Sequence, residues 1–75
     1  MHLLTEPQLK QYYNILTDAW KIIKKHHDVE HINWKEVVKD TKQLYHAYDS
    51  KFAKIIALEV MYELERLEKE DKEDD

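Results

Sequence analysis

The chain contains no glycine, no cysteine and only one proline, Pro7, in 75 residues. Glycine is the residue that takes up positive φ at no steric cost. Its absence argues against tight turns, phosphate-cradling loops and strained catalytic elbows. Without cysteine there is neither a disulfide staple nor a thiolate metal site, two common supports of a short chain. The same absence is compatible with a reducing cytoplasm. No apolar run approaches the roughly 18 residues of a membrane span. The start, Met1 to Pro7, lacks the basic stretch and apolar core of a secretory signal. The sequence therefore reads as a soluble, cytoplasmic chain with no membrane partner.

What remains is suited to helices and short polar joints. A chain of this length forms one small domain that buries a limited share of its surface. Two Trp, five Tyr and one Phe supply large apolar area per residue. Net charge is −4, unevenly spread. Residues 1–58 hold nine Lys and seven acids, whereas 59–75 hold nine acids against Arg66, Lys69 and Lys72. Overall acidity favours solubility and disfavours non-specific nucleic-acid binding.

Thr5-Glu6-Pro7-Gln8 has the grammar of a helix start. Thr5 is the N-cap, Gln8 closes a capping box, and Pro7 sits where its missing N–H costs nothing. Leu4 and Leu9 are placed to staple across the cap. Helix 1 is predicted over about 6–27, with Leu9, Tyr12, Tyr13, Leu16, Ala19, Trp20 and Ile23 as its apolar face and Ile15 and Ile22 on its flank. The same grammar recurs at Asn33, with Glu36 closing the box and Ile32 stapling to Val37. Helix 2 is predicted over about 34–48. Near Asp49-Ser50 either residue can cap a third helix, over about 51–69; a continuous helix from Asn33 is the alternative. Residues 71–75 are expected to form a frayed acidic tail outside a domain of residues 1–70.

Helix 3 is apolar on two sides. Phe52, Ala53, Ile56, Val60, Leu64 and Leu67 share one face, and Ile55, Leu58 and Tyr62 share a second. Such a helix is either the centre of a three-helix bundle or is sandwiched between its own domain and a partner. The predicted fold is all-α: a three-helix bundle with antiparallel neighbours. Its expected core is Leu9, Tyr13, Leu16, Trp20 and Ile23 from helix 1, Trp34, Val38, Leu44 and Tyr45 from helix 2, and Phe52, Ile56, Val60 and Leu64 from helix 3.

Few residues invite chemistry. His26-His27-Asp28-Val29-Glu30-His31 is the one cluster of metal-ligand types, but its spacing matches no closed site, and histidines at a helix C-terminus also suit the macrodipole. No metal, cofactor or small-molecule substrate is expected. Lys10, Lys21, Lys24 and Lys25 on helix 1, with Lys35, Lys39 and Lys42 on helix 2, form a basic side only if the two faces adjoin. Arginine appears once, in the acidic segment. Ser50, Thr17 and Thr41 carry no nucleophile signature, and carboxylates such as Glu59 and Glu63 sit at surface helical spacing. An enzyme is not indicated.

Two segments, Leu16 to Lys25 and Lys51 to Arg66, are similar to small uncharacterised helical proteins of prophages and conjugative elements in Gram-positive bacteria. That resemblance implies an accessory protein of a mobile element and assigns no site residue. From the residues themselves, the expected function is a small non-enzymatic protein-interaction module that self-associates or binds another protein. Its contact residues are Ile55, Leu58 and Tyr62, with Tyr12 or Tyr48 beside them. The alternative is a nucleic-acid-associated accessory protein using the lysine faces of helices 1 and 2.

Overall fold

The computed structural model describes residues 3–73. They form three helices, α1 (Glu6–Lys25), α2 (Trp34–Tyr48) and α3 (Lys51–Glu73), with no strand among the described residues. Each helix begins where a side chain supplies the missing acceptor for its first N–H groups. Thr5 Oγ1 accepts from the Gln8 N–H at 3.3 Å, and Gln8 Oε1 accepts from the Thr5 N–H at 2.8 Å, a complete capping box. Asn33 Oδ1 accepts from the Glu36 N–H at 3.3 Å. The expected return bond from Glu36 is replaced: its carboxylate takes Lys25 Nζ at 3.3 Å instead. Ser50 Oγ accepts from the Ala53 N–H at 3.0 Å and starts α3.

Between α2 and α3 the chain turns without glycine. Asp49 adopts φ 43° and ψ 48°, the one positive-φ non-glycine residue among those described, and its N–H bonds Tyr45 O at 3.1 Å. A left-handed α conformation costs an L-residue roughly 1–2 kcal/mol, less for Asp, whose short side chain bonds locally. Asp49→Gly is therefore expected to stabilise the fold by about 0.5–1 kcal/mol. Chemical denaturation measures it, and a neutral or destabilising result would show that the turn gains from the carboxylate itself.

Helix bounds differ from expectation at two ends. α1 stops at Lys25 rather than near His27, with His26 as its C-cap. α3 continues through Asp71 and Lys72 to Glu73, into the segment expected to fray; Asp74 and Asp75 lie outside the described residues. Charge pairs at helical spacing support that last stretch: Arg66 binds Glu63 and Glu70, and Lys69 Nζ lies 3.4 Å from Glu65. Each such exposed pair adds a few tenths of a kcal/mol.

Consecutive helices run antiparallel. The end of α1 meets the start of α2 through Lys25 and His26 against Asp40, and the Gln11 side chain donates to Tyr48 O at 3.5 Å at the other end. Trp34 Nε1 donates to Glu68 at 3.2 Å, joining the start of α2 to the far part of α3. α1 and α3 consequently run parallel, with Tyr12 level with Phe52 (centroids 4.9 Å apart, edge to face). The core lies on matching stripes: Ile15, Ala19 and Ile22 of α1, Val37, Thr41 and Leu44 of α2, and Ala53, Ala57, Val60 and Leu64 of α3. Alanine at three of these positions lets the helix backbones approach closely. Thr41 is buried without penalty because its hydroxyl donates to Val37 O at 2.9 Å.

The face of α1 that enters the core is not the expected one. Leu9, Tyr13, Leu16 and Trp20 are 47%, 69%, 50% and 56% exposed, whereas Ile15 is 1% exposed. Polar links set the rotation. On an α-helix at about 100° per residue, Asp18 and Lys25 share the flank opposite Leu9, Leu16 and Trp20. Tyr48 Oη donates to Asp18, and Asp40 takes His26 and Lys25, so that flank is held against α2. Centring the larger apolar stripe would break all three links. On α2, Val37 is fully buried and Val38 is partly exposed, a smaller shift of the same kind. Trp34, Tyr45, Phe52 and Ile56 are half-buried at the edges of the core rather than within it.

Candidate functional site

The helices are staggered, and the stagger creates the most unusual surface of the molecule. Tyr12 is level with Phe52, and Leu16, Trp20 and Ile23 line one groove with Ile56, Val60 and Glu63. An offset of forty positions relates α1 to α3, so α3 begins level with Gln11. The first turn of α1, with Leu9, and the lead-in residues Leu3 and Leu4 extend past that level, and Leu3, Leu4 and Leu9 are 75%, 47% and 47% exposed. Leu9, Tyr13, Leu16 and Trp20 then continue along α1 at spacings of four, three and four. That is the spacing of a single helix face packing against another helix. The groove beside it has a volume of about 380 Å³, with Glu59 and Glu63 on its α3 rim. Lys24 Nζ sits 4.9 Å from the Trp20 ring centroid and covers one end of the stripe.

The residues expected to make contacts fall into two groups. Ile55, Leu58 and Tyr62 are 46%, 41% and 58% exposed, on the side of α3 turned away from the core. Leu58 also borders a groove of about 220 Å³ with Val38, Tyr45 and Met61, between α2 and α3. Tyr12 is partly exposed but rests edge to face on Phe52 of α3. Tyr48 belongs elsewhere: it is half-buried and its hydroxyl is committed to Asp18. That bond raises the phenol pKa above its ordinary value, since losing the proton would set two negative oxygens together. The structure thus sets Ile55, Leu58 and Tyr62 on one outward side of α3, places Tyr12 against Phe52, and uses Tyr48 inside the fold.

The histidine cluster divides in the same way. His26 is 8% exposed, and its Nε2–H donates to Asp40 Oδ2 at 2.9 Å, because an ionised carboxylate can only accept. His27 caps the helix end, its Nδ1–H donating to Lys24 O at 2.8 Å. Asp28, Glu30 and His31 remain as an exposed trio with ligand atoms within 4.8 Å of one another. Asp28 and His31 already pair at 3.2 Å. Asp40 is the centre of the most connected polar group, taking His26 and Lys25 together. Desolvation opposes its ionisation, but the hydrogen bonds from His26 and Lys25 prevail and hold its carboxyl below the usual aspartate range. The reciprocal bonds to Asp40 and Glu36 raise the Lys25 pKa.

No lysine of α2 lines the α1–α2 groove, and Lys42 borders the α2–α3 groove instead. Lys21 and Lys25 line the α1–α2 groove with Asp18 and Asp40, and Lys25 is taken up by Asp40 and Glu36. On α3, Arg66 pairs with Glu63 and Glu70, which lowers the Glu63 pKa and raises that of Arg66. No described helix is long and apolar enough to cross a membrane. Comparison with protein-family models, curated proteins and solved structures finds no match for the chain.

Proposed function

We propose that this chain is a small non-enzymatic protein-interaction module that works by burying exposed apolar helix faces. One observation carries the reading: Leu9, Tyr13, Leu16 and Trp20 form a helical stripe of large side chains, each close to half exposed or more. Single exposed hydrophobics are ordinary, but a contiguous stripe of this kind on a small monomer marks a contact site. A second, shorter stripe, Ile55, Leu58 and Tyr62, faces outward on α3. Aromatic anchors of the kind found here, Trp20, Tyr13 and Tyr62, carry a large share of the energy at helix-face interfaces. The resemblance of the α1 and α3 segments to proteins of mobile elements would make the module an accessory factor of such an element.

The test separates contact surface from core. Leu16→Glu and Leu58→Glu, made singly, are expected to leave stability in dilute solution within about 0.5 kcal/mol of the parent chain, as for surface positions. Urea unfolding followed by far-UV circular dichroism measures it. A loss of several kcal/mol at either position would make that stripe part of the fold and remove the reading.

A further inference from the structure

We propose that α1 pairs through its stripe with α1 of a second copy of this chain, parallel and in register, about a two-fold axis that runs along the seam. The proposal rests on the interaction-module reading and names the occupant of its larger surface. Three observations carry it.

Spacing comes first. Leu9, Tyr13, Leu16, Trp20 and Ile23 alternate steps of four and three along α1. That is the heptad repeat of a seam between two helices, narrower than the face a helix turns to a bundle core. α1 already has such a core face in Ile15, Ala19 and Ile22, so the seam is additional to it.

The overhang is the second. The first turn of α1 reaches past the start of α3, and Leu9 there is 47% exposed. Two-fold interfaces are self-complementary, the same patch serving on both copies. In a parallel pair each stripe residue meets its own counterpart, Leu9 on Leu9 and Trp20 on Trp20. The two first turns, which have no α3 beside them, then cover one another.

Charge is the third, and it fixes the direction. Lys24 stands on the rim of α1 turned away from α3, and Glu59 and Glu63 stand on the α3 rim of the groove. An antiparallel pair would set each rim against its own copy, basic to basic and acidic to acidic. In a parallel pair the α3 side of one copy faces the far rim of α1 in the other. The offset of forty puts Glu59 level with Ala19 and Glu63 level with Ile23. Both carboxylates therefore lie within about 8 Å of the Lys24 level along the axis, and each Lys24 meets an acidic rim, twice per dimer. Its ammonium is already held at the seam, 4.9 Å from the Trp20 ring centroid. Neither Lys24 nor Glu59 has an ion-pair partner among the described residues. Arg66 lies beyond Glu63 but is taken up by Glu63 and Glu70, which leaves that rim net negative. Glu6 and Lys10 share the far rim of α1 but stand level with positions ahead of α3, clear of the acids. The net charge of −4 on each copy repels over a range that salt screens to about 8–10 Å, so contacts at the seam decide.

Sedimentation equilibrium of charge-reversed chains tests the arrangement. The parent chain is expected to reach twice its 9.2 kDa mass as concentration rises. Lys24→Glu and Glu59→Lys are each expected to weaken dimerisation about tenfold, since each turns two attractive contacts per dimer into repulsive ones. An equimolar mixture of the two single variants is expected to return to the parent dissociation constant, because the mixed pair again sets an acid against a base at both contacts. Far-UV circular dichroism is expected to stay unchanged throughout. Single variants without effect, or a mixture that associates no more tightly than its components, would overturn the parallel pairing. A parent chain at the mass of one copy up to about 1 mM, where only interactions weaker than about 4 kcal/mol escape, would overturn the second copy as occupant. It would leave the module reading standing if Leu16→Glu and Leu58→Glu keep their stability, and that reading falls only if they unfold.

Discussion

Replacing Ile15 by Ala is expected to cost the fold about 2–5 kcal/mol, whereas replacing the larger Trp20 is expected to cost about 1 kcal/mol or less in dilute solution. Ile15 is 1% exposed and Trp20 56% exposed, so truncation opens a cavity at the first position and removes a solvated ring at the second. A chain of this length has a total stability of roughly 4–11 kcal/mol. The first substitution thus removes a large fraction of it, and partial unfolding at room temperature is the visible result. Paired urea titrations at low micromolar concentration decide the matter. The opposite order, with Trp20→Ala the more damaging, would mean that α1 is rotated and that its larger stripe is core.

Asp40→Ala is expected to destabilise the chain by about 2–3 kcal/mol at pH 7. It strands the imidazole of His26, 8% exposed, without the carboxylate that receives its N–H. The Lys25 contact adds little, because that ammonium is well exposed. The sign of the pH dependence follows from the lowered pKa of Asp40. A folded-state pKa below the unfolded value of about 3.9 means that the native state holds the ionised form more tightly. The resulting stability is complete above about pH 4–5 and is lost as pH falls through the folded-state pKa. The difference between the parent chain and Asp40→Asn is therefore expected to shrink on acidification below about pH 4. Thermal melts across that range measure it. A difference that stays constant down to pH 2 would show that the carboxylate charge contributes nothing.

Local chemistry was legible in the residues, and the helix starts show it. Thr5, Asn33 and Ser50 each cap a helix through a bond to a backbone N–H three residues on, and that signal lies within four consecutive positions. Less legible was the stop at Asp49, since nothing in an Asp-Ser pair compels a left-handed residue. The face of α1 was misread for a physical reason. Pattern alone favours the stripe with the larger side chains, Leu9 to Trp20, over Ile15, Ala19 and Ile22. What orients the helix is a set of contacts between residues distant in the chain: Asp18 with Tyr48, and His26 and Lys25 with Asp40. Asp40 itself is one acid among several on a charged helix side, and nothing local distinguishes it. The outward position of Ile55, Leu58 and Tyr62, by contrast, follows from α3 carrying apolar residues on more of its circumference than two neighbours can cover.

Molar mass by light scattering, for the parent chain and Leu16→Glu side by side over a wide concentration range, tests the central claim most directly. With the α1 stripe as the proposed surface for self-association, the parent mass is expected to rise toward two copies of 9.2 kDa while Leu16→Glu stays at one. Identical masses for the two chains at every concentration would contradict self-association through that stripe.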